Sequence, residues 1–291
     1  RSVHLSHIAR KIPGMTQQTS KVKMLSRLLN NSHVRVRDWY ETVARNLLVT
    51  ASQYGPLTLM VDGTKVGNGH QLLMVALVYH KRALPIAWTW VKGARGHSSA
   101  QRQCALLSYV HQLIPPAATV FLAGDSEFGS IAVIKQLDQW GWFYALRQKS
   151  QHLIRPTAGA SWQRCDTLVS NPGDCCWLEQ AVLTERHAYL SHFLAYWKAG
   201  EKEPWLLATN LATPVEVKRL YRKRMRIEEM FGDFKAHGFD LERSRLDHFL
   251  ALSRLTLVVA LLYYWVVIFG AQAIKNGKRY LVDRRDRRDL S

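Results

Sequence analysis

The sequence predicts an α/β protein, a mixed sheet flanked by helices, interrupted by a β-rich insertion and preceded by a helical region. Three observations carry that prediction. Strand-like runs Leu57–Asp62, Gln71–His80 and Ala83–Val91 follow one another across short connections, Gly67-Asn-Gly69 and Lys81-Arg82, as in an antiparallel meander. Helical and strand-like runs then alternate from Ser98 to Arg147. Finally, the segment from Thr213 to Gly238 carries its own helix start and stop.

A chain of 291 residues with 47% hydrophobic composition is long enough to bury a substantial core, which excludes global disorder. Its 40 Lys and Arg against 22 Asp and Glu give a formal charge of +18. Such an excess favours a polyanionic partner, nucleic acid or an anionic membrane surface. The cysteines Cys104, Cys165, Cys175 and Cys176 show no CxxC spacing, so they are read as reduced thiols of a cytoplasmic protein and not as a zinc site. The chain opens at Arg1 with no methionine and no signal-peptide pattern, which reads as a fragment or a trimmed chain.

Residues 1–55 are expected to be helical, with amphipathic runs from Thr19 and from Val36. His4, Arg10, Lys11, Lys21, Lys23, Arg27, Arg35 and Arg37 suit this region to contact with a DNA backbone, although a solvated face explains any one of them. Residues 56–149 hold the meander, a helix from Ser98 to about Ile114, a strand Thr119–Asp125, a helix from Ser130 to about Trp140 and a strand Trp142–Arg147. That order is the order of an RNase H-like fold, in which the first and fourth strands are parallel neighbours. Asp62 and Asp125 then end adjacent strands, where their carboxylates can meet. A lone Asp after a strand is ordinarily a turn-former; two at neighbouring strand ends suggest more.

Residues 150–212 read as a β-rich insertion that ends in a hairpin of Ala188–Trp197 and Trp205–Thr209. Residues 213–274 complete the core with two helices. Leu255–Gly270 is apolar all round and approaches membrane-spanning length, but a central buried helix is the more economical reading, with no membrane expected. A basic tail, residues 275–291, is expected to be flexible and to touch DNA.

The Thr213–Gly238 segment repays closer reading. Thr213 with Glu216 is a capping box, Pro214 fits the first turn, and Gly238 suits a left-handed position past the end. On one continuous helix Tyr221, Arg224, Glu228 and Lys235 fall at about 0°, 300°, 340° and 320°, a single polar stripe beside the apolar Ile227, Met230, Phe231 and Phe234. A solvated face with an Arg224–Glu228 ion pair is the plain alternative.

The spacing Tyr-x2-Arg-x3-Glu-x6-Lys resembles the signature helix of the insertion-sequence-four family of bacterial DDE transposases. The resemblance covers roughly residues 56–250 and implies that Asp62, Asp125 and Glu228 are the catalytic triad. Glu229, about 100° away from the stripe, is the competitor for the third place. Ser126 stands where the family has Arg after its second Asp. An all-oxygen set of three acids selects two Mg²⁺ ions, for which Mn²⁺ can substitute. The resemblance further implies that Tyr221, Arg224 and Lys235 grip phosphates of double-stranded DNA and that Trp205 stacks on a flipped base. It also implies terminal inverted repeats and target DNA as substrates, a homodimer on DNA, and cut-and-paste transposition through a hairpin. A resolvase-type nuclease and a domesticated DNA-binding protein remain the alternatives.

Overall fold

The computed structural model describes residues 3–67, 69–92 and 98–282, the side chains of 236 and 237 excepted. Most of the basic tail and Asn68 of the first hairpin connection thus lie outside the described residues. The order of elements follows the expectation closely. Helices α1 (Leu5–Lys11), α2 (Gln18–Asn30) and α3 (Val36–Ser52) lead into strands β1 (Leu57–Val66), β2 (His70–Tyr79) and β3 (Arg82–Lys92). Helix α4 (Ala100–Leu113), strand β4 (Val120–Gly124), helix α5 (Ile131–Gln139) and strand β5 (Phe143–Arg147) come next. Ser99 and Ser130 start the two helices, their hydroxyls accepting from the backbone N–H groups of Arg102 and Val133.

Strands β6 (Leu153–Arg155), β7 (Gln163–Arg164), β8 (Cys175–Leu183), β9 (Tyr189–Tyr196) and β10 (Trp205–Thr209) follow, and then helices α6 (Pro214–Arg222), α7 (Met225–Gly232), α8 (Phe249–Lys275) and α9 (Arg279–Val282). All ten strands form one sheet in the order β3-β2-β1-β4-β5-β10-β9-β8-β6-β7. The β1/β4 and β4/β5 pairs are parallel; the helices α4 and α5 supply the long crossovers that such pairs require. With helices on a mixed sheet, the architecture is the RNase H-like α/β fold expected from the strand order.

The chain divides into two compact units, Arg1–Leu47 with Thr64–Gly96 and Arg226–Ser291, and Leu48–Gly63 with His97–Met225. In the first, buried Arg254 of α8 donates to the carbonyls of Leu29 and Val34, satisfying the end of α2 and the turn beyond it. Trp90 of β3 donates to Thr256 of α8 at 3.1 Å. Pro85 is tolerated in β3 because that strand lies at the sheet edge and carries a register shift beside it; Tyr40 donates its hydroxyl to the Pro85 carbonyl at 2.7 Å. In the second unit, Asp138 at the end of α5 accepts from the hydroxyls of Tyr144 and Tyr189 and from the Asn210 amide, fastening helix to sheet.

Four expectations change. Asp62 does not end its strand, since β1 runs on to Val66. The β-rich insertion does not stand apart: β10 pairs antiparallel with β5, so residues 153–209 extend the core sheet. The segment 213–238 is not one helix. The Thr213 half of the capping box forms, its hydroxyl accepting from the Glu216 N–H and donating to the Glu216 carboxylate, but the helix breaks at Lys223 and Arg224 and later widens into a π-turn over Asp233–His237. Gly238 has φ −131°, not a left-handed value; glycine is needed there because a Cβ would come within 2.5 Å of the Asp233 carbonyl oxygen.

The fourth change concerns α8. Only 28% of its most apolar stretch is buried. Packing holds its first half, through Arg254, Thr256 and Tyr263, whose ring meets Phe234 at 5.4 Å. Further along the helix Leu262, Trp265, Val266 and Phe269 are exposed. Long and apolar enough to cross a membrane, α8 is therefore a half-buried helix and not the central buried one expected.

Gly124 sits where β4 is squeezed between its neighbours: a Cβ would lie 2.8 Å from Val61 Cγ1 and 2.9 Å from Leu146 Cδ2. Gly124→Ala is expected to lower the unfolding free energy by about 1–3 kcal/mol, the usual cost of overpacking, as measured by urea denaturation.

Candidate functional site

The site begins with register. Val61 pairs with Gly124 across parallel β1 and β4, so Asp62 and Asp125 are the next residues along two strands running the same way. Parallel neighbours in register lie about 4.8 Å apart and send matched side chains to the same face. The two aspartates therefore belong to one patch of sheet. Asp125 takes the N-cap position of a 3₁₀ turn, Ser126–Phe128, yet its side chain does no capping; only its backbone carbonyl accepts, from the Phe128 N–H at 2.9 Å. Among the described residues no hydrogen bond or ion pair reaches the Asp125 carboxylate, which argues against the turn-former reading. The turn itself is pinned by Glu127, which accepts from the hydroxyl and N–H of Ser98, and by Gln103, which donates to the Glu127 carbonyl.

Asp62 is in a different state. One carboxylate oxygen accepts from the Gly63 N–H at 2.7 Å, and the other lies 3.0 Å from Arg224 Nη1. The side chains of Arg224 and Asp62 are only 12% and 11% exposed, so this is a largely dehydrated ion pair. Arg224 reaches it from the break between α6 and α7, where the Lys223 and Arg224 N–H groups bond three residues back in place of four. Lys223, the other residue of the break, donates to Thr58 of β1 at 3.4 Å. Burial, then Arg219, pull its ammonium below the usual lysine range.

Tyr221 joins Arg224 to the end of the inserted strands. The Arg224 guanidinium lies 5.6 Å from the centre of the Tyr221 ring, and that ring meets Trp205 edge-on at 5.0 Å. Trp205, the first residue of β10, is half-buried and also meets Tyr196 edge-on at 5.9 Å. A single run of contacts, Trp205–Tyr221–Arg224–Asp62, thus crosses the site. Tyr221 itself is only 3% exposed, and its hydroxyl has no hydrogen-bond partner among the described residues. Burial raises its phenol, and Arg224 and Arg147 oppose that rise. It is set deeper than an exposed phosphate donor would be.

Arg147 was missed by the motif reading. It ends β5 and donates to Glu203 at 2.9 Å and to the Pro204 carbonyl, just before Trp205. Its place was legible, because ligands of parallel sheets gather at the carboxyl ends of the strands, and β5 is the next strand after Asp125's own. Glu228 and Lys235 belong to the other unit. Glu228 is half-buried on α7, and Lys235, in the π-turn, pairs with Glu242 at 3.5 Å. With a break after Arg222 and a π-turn from Asp233, one helical wheel cannot place all four signature residues. Among the described residues no group of three or more His, Cys, Asp or Glu is gathered that could hold a metal ion.

A family model described as the transposase DDE domain matches residues 51–265, from the end of α3 through most of α8. No curated protein matches the chain.

The orphaned hydroxyl yields a direct test. Because a buried polar group without a partner is destabilising, Tyr221→Phe is expected to leave the unfolding free energy unchanged or to raise it by up to about 1 kcal/mol in guanidinium titrations.

Proposed function

Because the chain belongs to the family of transposases with a DDE domain, we propose that it is a cut-and-paste enzyme of the insertion-sequence-four type. It cleaves the ends of its element in double-stranded DNA, passes through a hairpin and joins the freed ends to target DNA. The observation that carries this reading is the register of parallel β1 and β4, which sets Asp62 and Asp125 one residue beyond the Val61–Gly124 pair, with the Arg224 guanidinium paired to Asp62.

The donor set fits a hard divalent cation. It consists of carboxylate oxygens without thiolate or imidazole, and among the described residues no hydrogen bond or ion pair reaches the Asp125 carboxylate. Asp62 and Asp125, with Glu228 as the third acid, would hold Mg²⁺ or Mn²⁺. When bound, such ions supply the Lewis acidity that activates a water or a 3′-hydroxyl and stabilises the oxygen leaving a phosphodiester.

The chain's own side chains do the remaining work. Arg224 and Lys235 bind phosphate oxygens near the cleaved bond, the first through a planar fork and the second as a point charge. Tyr221 holds Arg224 over its ring and meets Trp205 edge-on. Trp205 offers a half-buried aromatic face on which a base swung out of the duplex stacks while the hairpin forms. The +18 charge favours approach to DNA, and the basic helices of residues 1–55 add backbone contacts. Holding two ends together requires a homodimer on DNA.

Incubated with Mg²⁺ and linear DNA bearing the element's terminal inverted repeats, the protein is expected to cut at the repeats. Asp62→Asn, Asp125→Asn and Glu228→Gln should each abolish cutting while gel-shift binding to the same DNA persists; full cutting by any of the three removes that residue from the triad. Trp205→Ala should leave nicking intact and slow hairpin formation roughly tenfold or more on a denaturing gel, the consequence of losing about 1–3 kcal/mol of stacking.

A further inference from the structure

We infer that Arg224 competes with the divalent cation for the Asp62 carboxylate, so that loading the metal and releasing the Arg224 guanidinium are one exchange. The inference rests on the reading of Asp62 as a metal ligand and adds to it a role for Arg224 before DNA arrives. Asp62 is 8% exposed, and a carboxylate so far from water requires a positive neighbour. Arg224 Nη1, at 3.0 Å, is that neighbour. A cation bound to the same oxygens would place two positive groups on one carboxylate at short range, and their repulsion would favour the guanidinium's departure.

Two features make that departure feasible. Arg224 sits at the break between α6 and α7, where the i→i−4 ladder is already interrupted, so its side chain can swing without breaking a helical turn. It also has a second resting place, since its guanidinium lies 5.6 Å from the Tyr221 ring centre and can stay against that face after leaving Asp62. Once off Asp62, the guanidinium can turn Nη1 towards a phosphate. The chain therefore keeps its phosphate-binding arginine sequestered until metal is present, and metal and DNA favour each other's binding by linkage.

The test is a calorimetric titration of Mn²⁺ into the metal-free full chain without DNA, comparing the unmutated protein with Arg224→Gln and Asp62→Asn. Arg224→Gln is expected to bind Mn²⁺ about fivefold or more tightly, and its melting temperature to be lower without metal and to rise more on adding it. Asp62→Asn is expected to lose the binding. Equal or weaker Mn²⁺ affinity in folded Arg224→Gln, with binding still lost in Asp62→Asn, would overturn the exchange and leave the metal-site reading standing. Undiminished affinity in Asp62→Asn would overturn the metal-site reading itself. Should Arg224→Gln fail to fold, the side-chain ¹⁵N resonance of Arg224 in the unmutated chain decides. It should shift and exchange faster with solvent on adding Mg²⁺; a resonance unmoved at saturating Mg²⁺ overturns the exchange.

Discussion

The ion pair between Asp62 and Arg224 is the constraint around which this site is arranged. With both side chains nearly out of water, neither group can stand alone, and removal of one partner of such a pair typically costs about 3–5 kcal/mol. That cost ties the end of α6 to the middle of β1, residues far apart in the chain. It also fixes the direction of neighbouring groups. Tyr221 lies one turn back on α6 and presents its ring to the guanidinium, and Trp205 meets that ring edge-on. Charge therefore determines where the aromatic surface stands relative to the acids.

The sheet provides the other half of the arrangement. Parallel pairing of β1, β4 and β5 brings consecutive strands to a common end, and residues just past that end face a shared space. Asp125 and Arg147 both occupy such positions. Gly124 allows the close approach of the β1 and β5 side chains Val61 and Leu146, so the backbone leading to Asp125 has little room to shift. The Glu127–Ser98–Gln103 cluster then holds the turn after it, in which no hydrogen bond reaches the Asp125 carboxylate among the described residues.

The strand order and the in-register aspartates were legible because they depend on local patterning: apolar runs bounded by turn residues, and helices with serine caps. What was not legible depends on contacts between distant segments. No glycine or proline marks the break at Lys223 and Arg224; both side chains there reach β1, through Thr58 and Asp62, and that tertiary pull has no signature in the local sequence. Strand β8 escaped notice because a register shift between Leu178 and Ala181, with Gln180 at φ 52°, interrupts the alternation a strand should show. Apolar composition alone could not reveal that α8 packs along only half of its length, since hydropathy reports what a helix can bury and not what partner is available.

The broken helix bears on the geometry of the four signature residues. On a continuous helix, Tyr221, Arg224, Glu228 and Lys235 would move as a rigid body, and any shift that carried Arg224 off Asp62 would displace Glu228 with it. In this chain, the break separates Tyr221 and Arg224 on one side from Glu228 on the other, and the π-turn detaches Lys235 from the regular turns of α7. Such wide turns are common where a helix serves a site, because the extra residue re-aims a side chain without ending the helix. The cost in backbone regularity has a local cause, since the side chains of Lys223 and Arg224 at the break both reach β1.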